Sequence, residues 1–163
     1  MLQLDPTIFS PLLNAVLKEC QEYGKTVATA ESCTGGLVAT LLTHVPGSST
    51  VFAGGIIAYS NSIKTNILGV PPELITNHGA VSREVCEAMA LGAKRVLTTD
   101  FAIAITGVAG PGGGSAAKPV GTVWLAIAHP EGVTSDLLTL TGDRAAIRAA
   151  AARAALEKLL SLI

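Results

Sequence analysis

The 163-residue chain is long enough for one domain with a proper core and too short for two of ordinary size. With 49% hydrophobic, 14% charged and 4% aromatic residues, its interior must be built mainly from Ala, Val, Leu and Ile, which favours a layered α/β core. The formal net charge of -1, with no run of like charges and no basic stretch able to track a phosphate backbone, argues against nucleic acid as a partner.

Asp5 followed by Pro6 reads as the N-cap and first residue of an amphipathic helix, since Ile8, Leu12, Leu13, Val16 and Leu17 recur at helical spacing as far as Gly24. Residues 26–30, short, apolar and partly β-branched, predict a first strand. It runs into the polar turn Glu31-Ser32-Cys33-Thr34-Gly35-Gly36, and a second helix is expected over 37–44. The segment 45–49 breaks that helix, 51–59 reads as a second buried strand, and Ser60-Asn61-Ser62 caps a short helix containing Lys64. After a turn at Pro71-Pro72, Ser82 caps a helix over 83–97, 101–106 is a third strand, and 107–119 is a Gly-rich loop. Strands over 120–128 and 133–140 flank His129-Pro130-Glu131-Gly132, a four-residue connection suited to an antiparallel hairpin. Asp143 then caps a long Ala-rich helix. Strands alternating with helices imply a largely parallel sheet covered on both faces, with the hairpin adding an antiparallel strand.

No apolar run reaches the roughly 18 residues a membrane helix needs, and the N-terminus lacks the basic-then-apolar layout of a signal peptide, so no membrane partner and a cytoplasmic location are expected. Cys20, Cys33 and Cys86 are odd in number and widely spaced, which indicates neither a disulfide framework nor a structural metal. No metal or other cofactor is expected.

In open α/β sheets ligands sit at the carboxyl ends of strands, where loops and helix N-termini converge. Three segments qualify: 31–36, 59–64 and 106–114. Ser32 stands where a nucleophile gains most, because a helix N-terminus lowers the energy of nearby negative charge by roughly 0.3–1 kcal/mol. The bland alternative makes Ser32 or Thr34 merely an N-cap. Cys33 is a rival nucleophile, or else a small buried apolar residue. None of His44, His78 and His129 stands at a recognisable triad spacing, so the base falls to Lys64, a residue whose amine is partly neutral when desolvated. Tyr59, at the strand end, is placed to relay or orient the proton; the alternative for Lys64 is a solvated helix lysine. No G-x-S-x-G is present. Residues 106–114 lack the ending of a Walker A loop, yet their backbone N–H groups suit a phosphate or carboxamide. Thr34, Gly35 and Gly107 are further substrate-binding candidates, and Arg144 is a possible clamp for a phosphate or carboxylate.

The strings TAESCTGG (29–36), VPGSS (45–49), FAGGIIAYSNSIK (52–64), HGAVS (78–82), TGVAGPGGG (106–114), KPVGTVW (118–124) and GDR (142–144) closely resemble the CinA C-terminal domain family, in its order and through nearly the whole chain. The resemblance implies a three-layer α/β/α sandwich with a mixed, largely parallel sheet. It also implies nicotinamide-nucleotide amidase activity, in which nicotinamide mononucleotide (NMN) and water give nicotinate mononucleotide and ammonia in pyridine-nucleotide salvage. On it the family's proposed nucleophile falls on Ser32, its tyrosine on Tyr59 and its lysine on Lys64, while Ser49, Thr106 and Arg144 match further functional positions. Many family proteins carry a larger N-terminal molybdopterin-binding-like domain with pyrophosphatase activity; nothing of it occurs in this sequence, and the stand-alone form resembles a dedicated deamidase. The family also implies a homodimer or larger homo-oligomer. Two alternatives stand: a non-catalytic nucleotide- or partner-binding module of the competence and damage-inducible type, and an amidase for another small amide.

Overall fold

The computed structural model describes residues 6–163. The expected cap at Asp5 lies outside the described residues. Pro6–Phe9 forms a 3-10 turn, and the first helix, α1, runs over Ser10–Glu22 with a proline in its opening turn, where the missing N–H costs no hydrogen bond. Then follow β1 (Val27–Glu31), α2 (Leu37–His44), β2 (Phe52–Ile57), α3 (Asn61–Asn66), α4 (Pro72–His78), α5 (Arg83–Leu97), β3 (Phe101–Gly107), β4 (Thr122–His129), β5 (Gly132–Thr139) and α6 (Arg144–Leu160).

The sheet has the order β2-β1-β3-β4-β5. β1 runs parallel to both β2 and β3, while β4 is antiparallel to β3 and to β5, so only β4 points against the rest. The expected mixed, largely parallel sheet between helical layers is what the chain forms.

Side-chain size differs sharply between the two faces of this sheet. One face presents Val27, Phe101, Ile103, Ile105, Val123, Leu125 and Ile127 to α1, α2 and α6. Its reverse presents Ala28, Ala30, Ala102, Ala104, Ala126 and Ala128, against which α5 lays Val85, Cys86, Met89, Ala90 and Ala93. Period-two alternation sorts large from small residues, and the alanine face lets α5 approach closely. β1 is buried along its whole length and β3 along all but its last residue, so the loops leaving their carboxyl ends start from a rigid platform.

Three local expectations need correction. Pro71-Pro72 is not merely a turn: Pro72 opens α4, with Glu73 favourably placed in its first turn. The hairpin connection has two residues rather than four, because His129 and Gly132 already pair as the last rung of the β4–β5 ladder. β4 starts at Thr122 rather than at residue 120, since Gly121, at φ +95°, makes the turn into it. Among the described residues, no helix is long and apolar enough to cross a membrane.

Candidate functional site

The turn after β1 is held from beneath by a buried carboxylate. Glu31, the last residue of β1, is fully buried, and its Oε2 accepts from the amides of Gly36 and Val38 (both 3.1 Å) while Oε1 accepts from Ala39 (2.9 Å). An anion here satisfies N–H groups that the first turn of α2 cannot pair internally and complements the positive end of the helix. The N-cap position itself is Gly36, at φ +93°, with no side-chain cap. Neither Ser32 nor Thr34 therefore caps α2, and the simple N-cap explanation for these hydroxyls fails.

Ser32 is fixed on the other side by its own amide, which donates to the Ile105 carbonyl of β3 (2.9 Å), while the Gly35 amide closes the turn onto the Ser32 carbonyl (3.0 Å). Thr34 is fully buried, and its hydroxyl has no hydrogen-bond partner among the described residues. Gly35 adopts φ +60°, a conformation that strains other residues.

Lys64 reaches Ser32 from α3. Ser60 caps that helix, its hydroxyl accepting from the Ile63 amide (3.3 Å). The chain thereby turns sharply at the end of β2 and sends Lys64 inward. Only 1% of Lys64 is exposed, so it is not the solvated lysine of the alternative reading. Its Nζ donates to the carbonyls of Ala58 (2.8 Å) and Tyr59 (3.3 Å) and to Ser32 Oγ (3.2 Å). Burial lowers its pKa, since the protein interior solvates an ammonium poorly.

These contacts suit either protonation state. As an ammonium, Lys64 has three protons for three oxygens. As a neutral amine it keeps the two carbonyl bonds and turns a lone pair toward the Ser32 hydroxyl, which is the arrangement a general base needs.

Cys33 lacks that advantage. It is 7% exposed, and burial, outweighing the opposing pull of Arg144 and Arg148, raises its thiol to about 11. At neutral pH it stays protonated and is a poor nucleophile. All three cysteines are free and buried.

Tyr59 touches Lys64 through its carbonyl, whereas its phenol, on a side chain 60% exposed, accepts from Arg144 Nη2 (3.1 Å). Arg144 opens α6 directly after the Asp143 cap, and its Nη1 donates to the Gly110 carbonyl in the Gly-rich loop (2.9 Å). One guanidinium thus joins that loop to Tyr59. Thr106 and Gly107 end β3 beside the turn, with Thr106 Oγ1 donating to the Ala80 carbonyl (2.8 Å) and Gly107 facing Val123 of β4 too closely for a side chain.

Ser49 is elsewhere. It lies in the 3-10 turn Ser48–Thr50 that leads into β2, whereas Ser32 follows the far end of β1. Because β1 and β2 run parallel, Ser49 is at the opposite end of the sheet, and a single chain does not bring it to the other candidates. The histidines form no hydrogen bond to Ser32 among the described residues; His78 sits 3.8 Å from Glu84. No three His, Cys, Asp or Glu side chains among the described residues converge as a metal site would require.

Two residues of this region were not legible as site residues: Glu31 and Arg148. Glu31 had a signal, a carboxylate just ahead of a helix start. Arg148 had only its spacing, one turn after Arg144 on the same face of α6. Its Nη2 donates to the Thr34 carbonyl at 2.6 Å. Beside the turn, between α2 and the edge strand β2, a cavity of about 330 Å³ is lined by Glu31, Gly35, Gly36, Gly55 and Ile57 among others. A second cavity, of about 510 Å³, is bounded by Lys94, Arg95 and Asp100 at the other end of the sheet and belongs to none of this chemistry.

Comparison with known proteins agrees with this architecture. Residues 10–163 match the family described as CinA C-terminal domain. A CinA-like protein from Synechocystis is 53% identical over 140 residues, 86% of this chain and 33% of that protein; one from Acidobacterium capsulatum is 47% identical over 159 residues, 95% and 38%. The chain thus spans about a third of the length of the curated relatives it matches. Among solved structures, a competence/damage inducible protein from Agrobacterium tumefaciens superposes with a TM-score of 0.91 at 45% identity, covering 93% of each chain. The competence damage-inducible protein A from Klebsiella pneumoniae gives 0.90 at 33% identity, covering 93% of this chain and 94% of that one. With a family match over nearly its full length, this chain belongs to the CinA C-terminal domain family.

Proposed function

We propose that this protein hydrolyses the carboxamide of NMN to nicotinate mononucleotide and ammonia, with Ser32 as nucleophile and Lys64 as its base. The observation that carries the proposal is the buried Lys64 amine, 3.2 Å from Ser32 Oγ and with its pKa lowered by burial.

In the first half-reaction neutral Lys64 takes the Ser32 proton as Oγ attacks the carboxamide carbon. As Oγ attacks, negative charge develops on the carboxamide oxygen beside the turn ahead of α2. Lys64 then returns the proton to the departing nitrogen, the C–N bond breaks, and ammonia leaves an ester on Ser32. In the second half, water gives a proton to Lys64 and adds to the ester carbon. Collapse expels Ser32 Oγ, which recovers its proton from Lys64, and the product carboxylic acid gives its proton to solvent as nicotinate mononucleotide is released.

Arg144, held between Gly110 and the Tyr59 phenol, supplies a cation for the substrate phosphate, and Tyr59, exposed at the crevice, helps place the pyridine ring. Gly35 and Gly107 border that crevice, while Thr34 and Thr106 are buried and support it from within. No cofactor enters this scheme. The protein is taken to be cytoplasmic and to act as a homodimer or larger homo-oligomer, which would also give Ser49 a place to act between copies.

Ammonia release from a panel of amides tests the proposal. NMN is expected to turn over, with free nicotinamide, which lacks the phosphate, at least about tenfold poorer in kcat/KM, the loss of one good charge-assisted contact. Saturable binding of NMN without turnover would instead identify a binding module, and preference for another amide would identify a different amidase.

A further inference from the structure

We infer that Arg148 is a positioning residue of the hydrolytic step, setting the turn that carries Ser32 without itself touching substrate. The inference rests on the proposed amide hydrolysis.

Arg148 projects from the second turn of α6 against the nucleophile turn. Its Nη2 makes a short bond to the Thr34 carbonyl (2.6 Å), and the same nitrogen is the nearest atom to Gly35, 3.6 Å from where a Cβ there would sit. Among the described residues it forms no ion pair; those present join Glu84 to His78 and Arg83, Glu157 to Arg153, and Asp136 to Lys158. Glu31, the carboxylate of this turn, is already committed to three amides of α2. The buried Arg148 Nε has no hydrogen-bond partner among the described residues. A guanidinium placed this way is costly as a structural element, because a neutral carbonyl offsets its desolvation only in part.

Its geometric effect is specific. The Thr34–Gly35 peptide is gripped at both ends: Arg148 holds the carbonyl, and the Gly35 amide is bonded to the Ser32 carbonyl. Fixing that plane fixes, through the closed turn, the direction in which Ser32 Oγ faces Lys64. Glu31 secures the turn from the α2 side and Arg148 from the α6 side. The guanidinium also places a positive charge where negative charge develops, an effect already felt at the adjacent Cys33. A catalytic group misplaced by about 1 Å through a remote change loses on the order of 10²-fold in rate.

The test compares steady-state kinetics of wild type, Arg148→Gln and Arg148→Lys with NMN, together with inhibition by a pyridinium boronic acid analogue of NMN, which forms a tetrahedral adduct with a serine. For Arg148→Gln, kcat should fall about 10- to 100-fold with KM within about twofold, and affinity for the boronate should fall in parallel with kcat. Arg148→Lys, which keeps the charge but loses the planar fork, should lie between wild type and Arg148→Gln. Loss of packing alone would lower the fraction of folded protein and leave boronate affinity per active site unchanged. Wild-type kcat and boronate affinity in Arg148→Gln would overturn the inference. If Arg148→Gln does not fold, Arg148→Lys decides: reduced kcat at unchanged KM supports positioning, and wild-type kcat overturns it. A wild-type protein with no turnover of NMN overturns the proposed activity, and this inference with it; an active wild type matched by its Arg148 variants overturns this inference alone.

Discussion

Lys64 concentrates the chemical argument. A lysine 1% exposed, beside a serine hydroxyl and two carbonyls, is stable as a structural element only at a desolvation cost, and that cost lowers the pKa of the amine. The sign for activity follows directly. Catalysis needs the neutral amine, so kcat/KM should climb with pH through the lowered Lys64 pKa and level off above it, rather than climbing toward the ordinary lysine range. Lys64→Arg keeps a cation that cannot release its proton and should lose at least about 10²-fold in kcat, with no such rising limb in its pH profile. A Lys64→Arg protein retaining both rate and profile would remove Lys64 from the mechanism. At this scale the residues made Ser32 and Lys64 candidates, with an N-cap and a solvated lysine as the alternatives, and it was the resemblance to the family that singled them out. It did not disclose that Tyr59 meets Lys64 through its carbonyl while its phenol turns to Arg144, since which end of a tyrosine makes which contact depends on the tertiary crevice.

Elements differ in how much of their placement is local. Caps were readable: Ser82 accepts from the Val85 amide (3.3 Å) and Asp143 from the Ala146 amide (2.8 Å), so α5 and α6 start where their capping residues dictate. α2 was not, because its cap is a carboxylate five residues ahead of Gly36 that reaches back under the turn, a contact no capping box describes. The mutual fit of α3 and α5 was equally hidden. Gly92 in α5 lies so near the Leu68 carbonyl, just after α3, that a Cβ would collide with backbone, and Arg95 donates to the same carbonyl (3.0 Å). An alanine gains about 1 kcal/mol of helix propensity over glycine, yet overpacking costs about 1–3 kcal/mol, so Gly92→Ala should destabilise or at best break even. Thermal unfolding checks this: a lower Tm is expected, and a clearly raised Tm would show that α5 does not hold α3, and Lys64 with it, as tightly as described.

For the molecule as a whole, the fold explains why chemistry from distant parts of the sequence meets at one end. β1 and β3 point the same way at the centre of the sheet, covered by helices on both faces, so their carboxyl ends deliver Ser32 and Thr106 side by side. β2 delivers Lys64 from the edge, and α6 lays Arg144 and Arg148 across the opening. The alternation of strands and helices made this architecture legible, because a parallel sheet buried on two faces leaves a strong apolar signal. Ser49, matched only by resemblance, fell at the wrong end of the sheet for a single chain, something that strand direction decides and residue type does not. The most direct test of Ser32 as the nucleophile is ammonia release from NMN by wild type and by Ser32→Ala, with thermal unfolding confirming that both are folded. Wild type should release one ammonia per nicotinate mononucleotide formed, and Ser32→Ala should be slower by roughly 10³-fold or more. A folded Ser32→Ala protein that releases ammonia at the wild-type rate would contradict it.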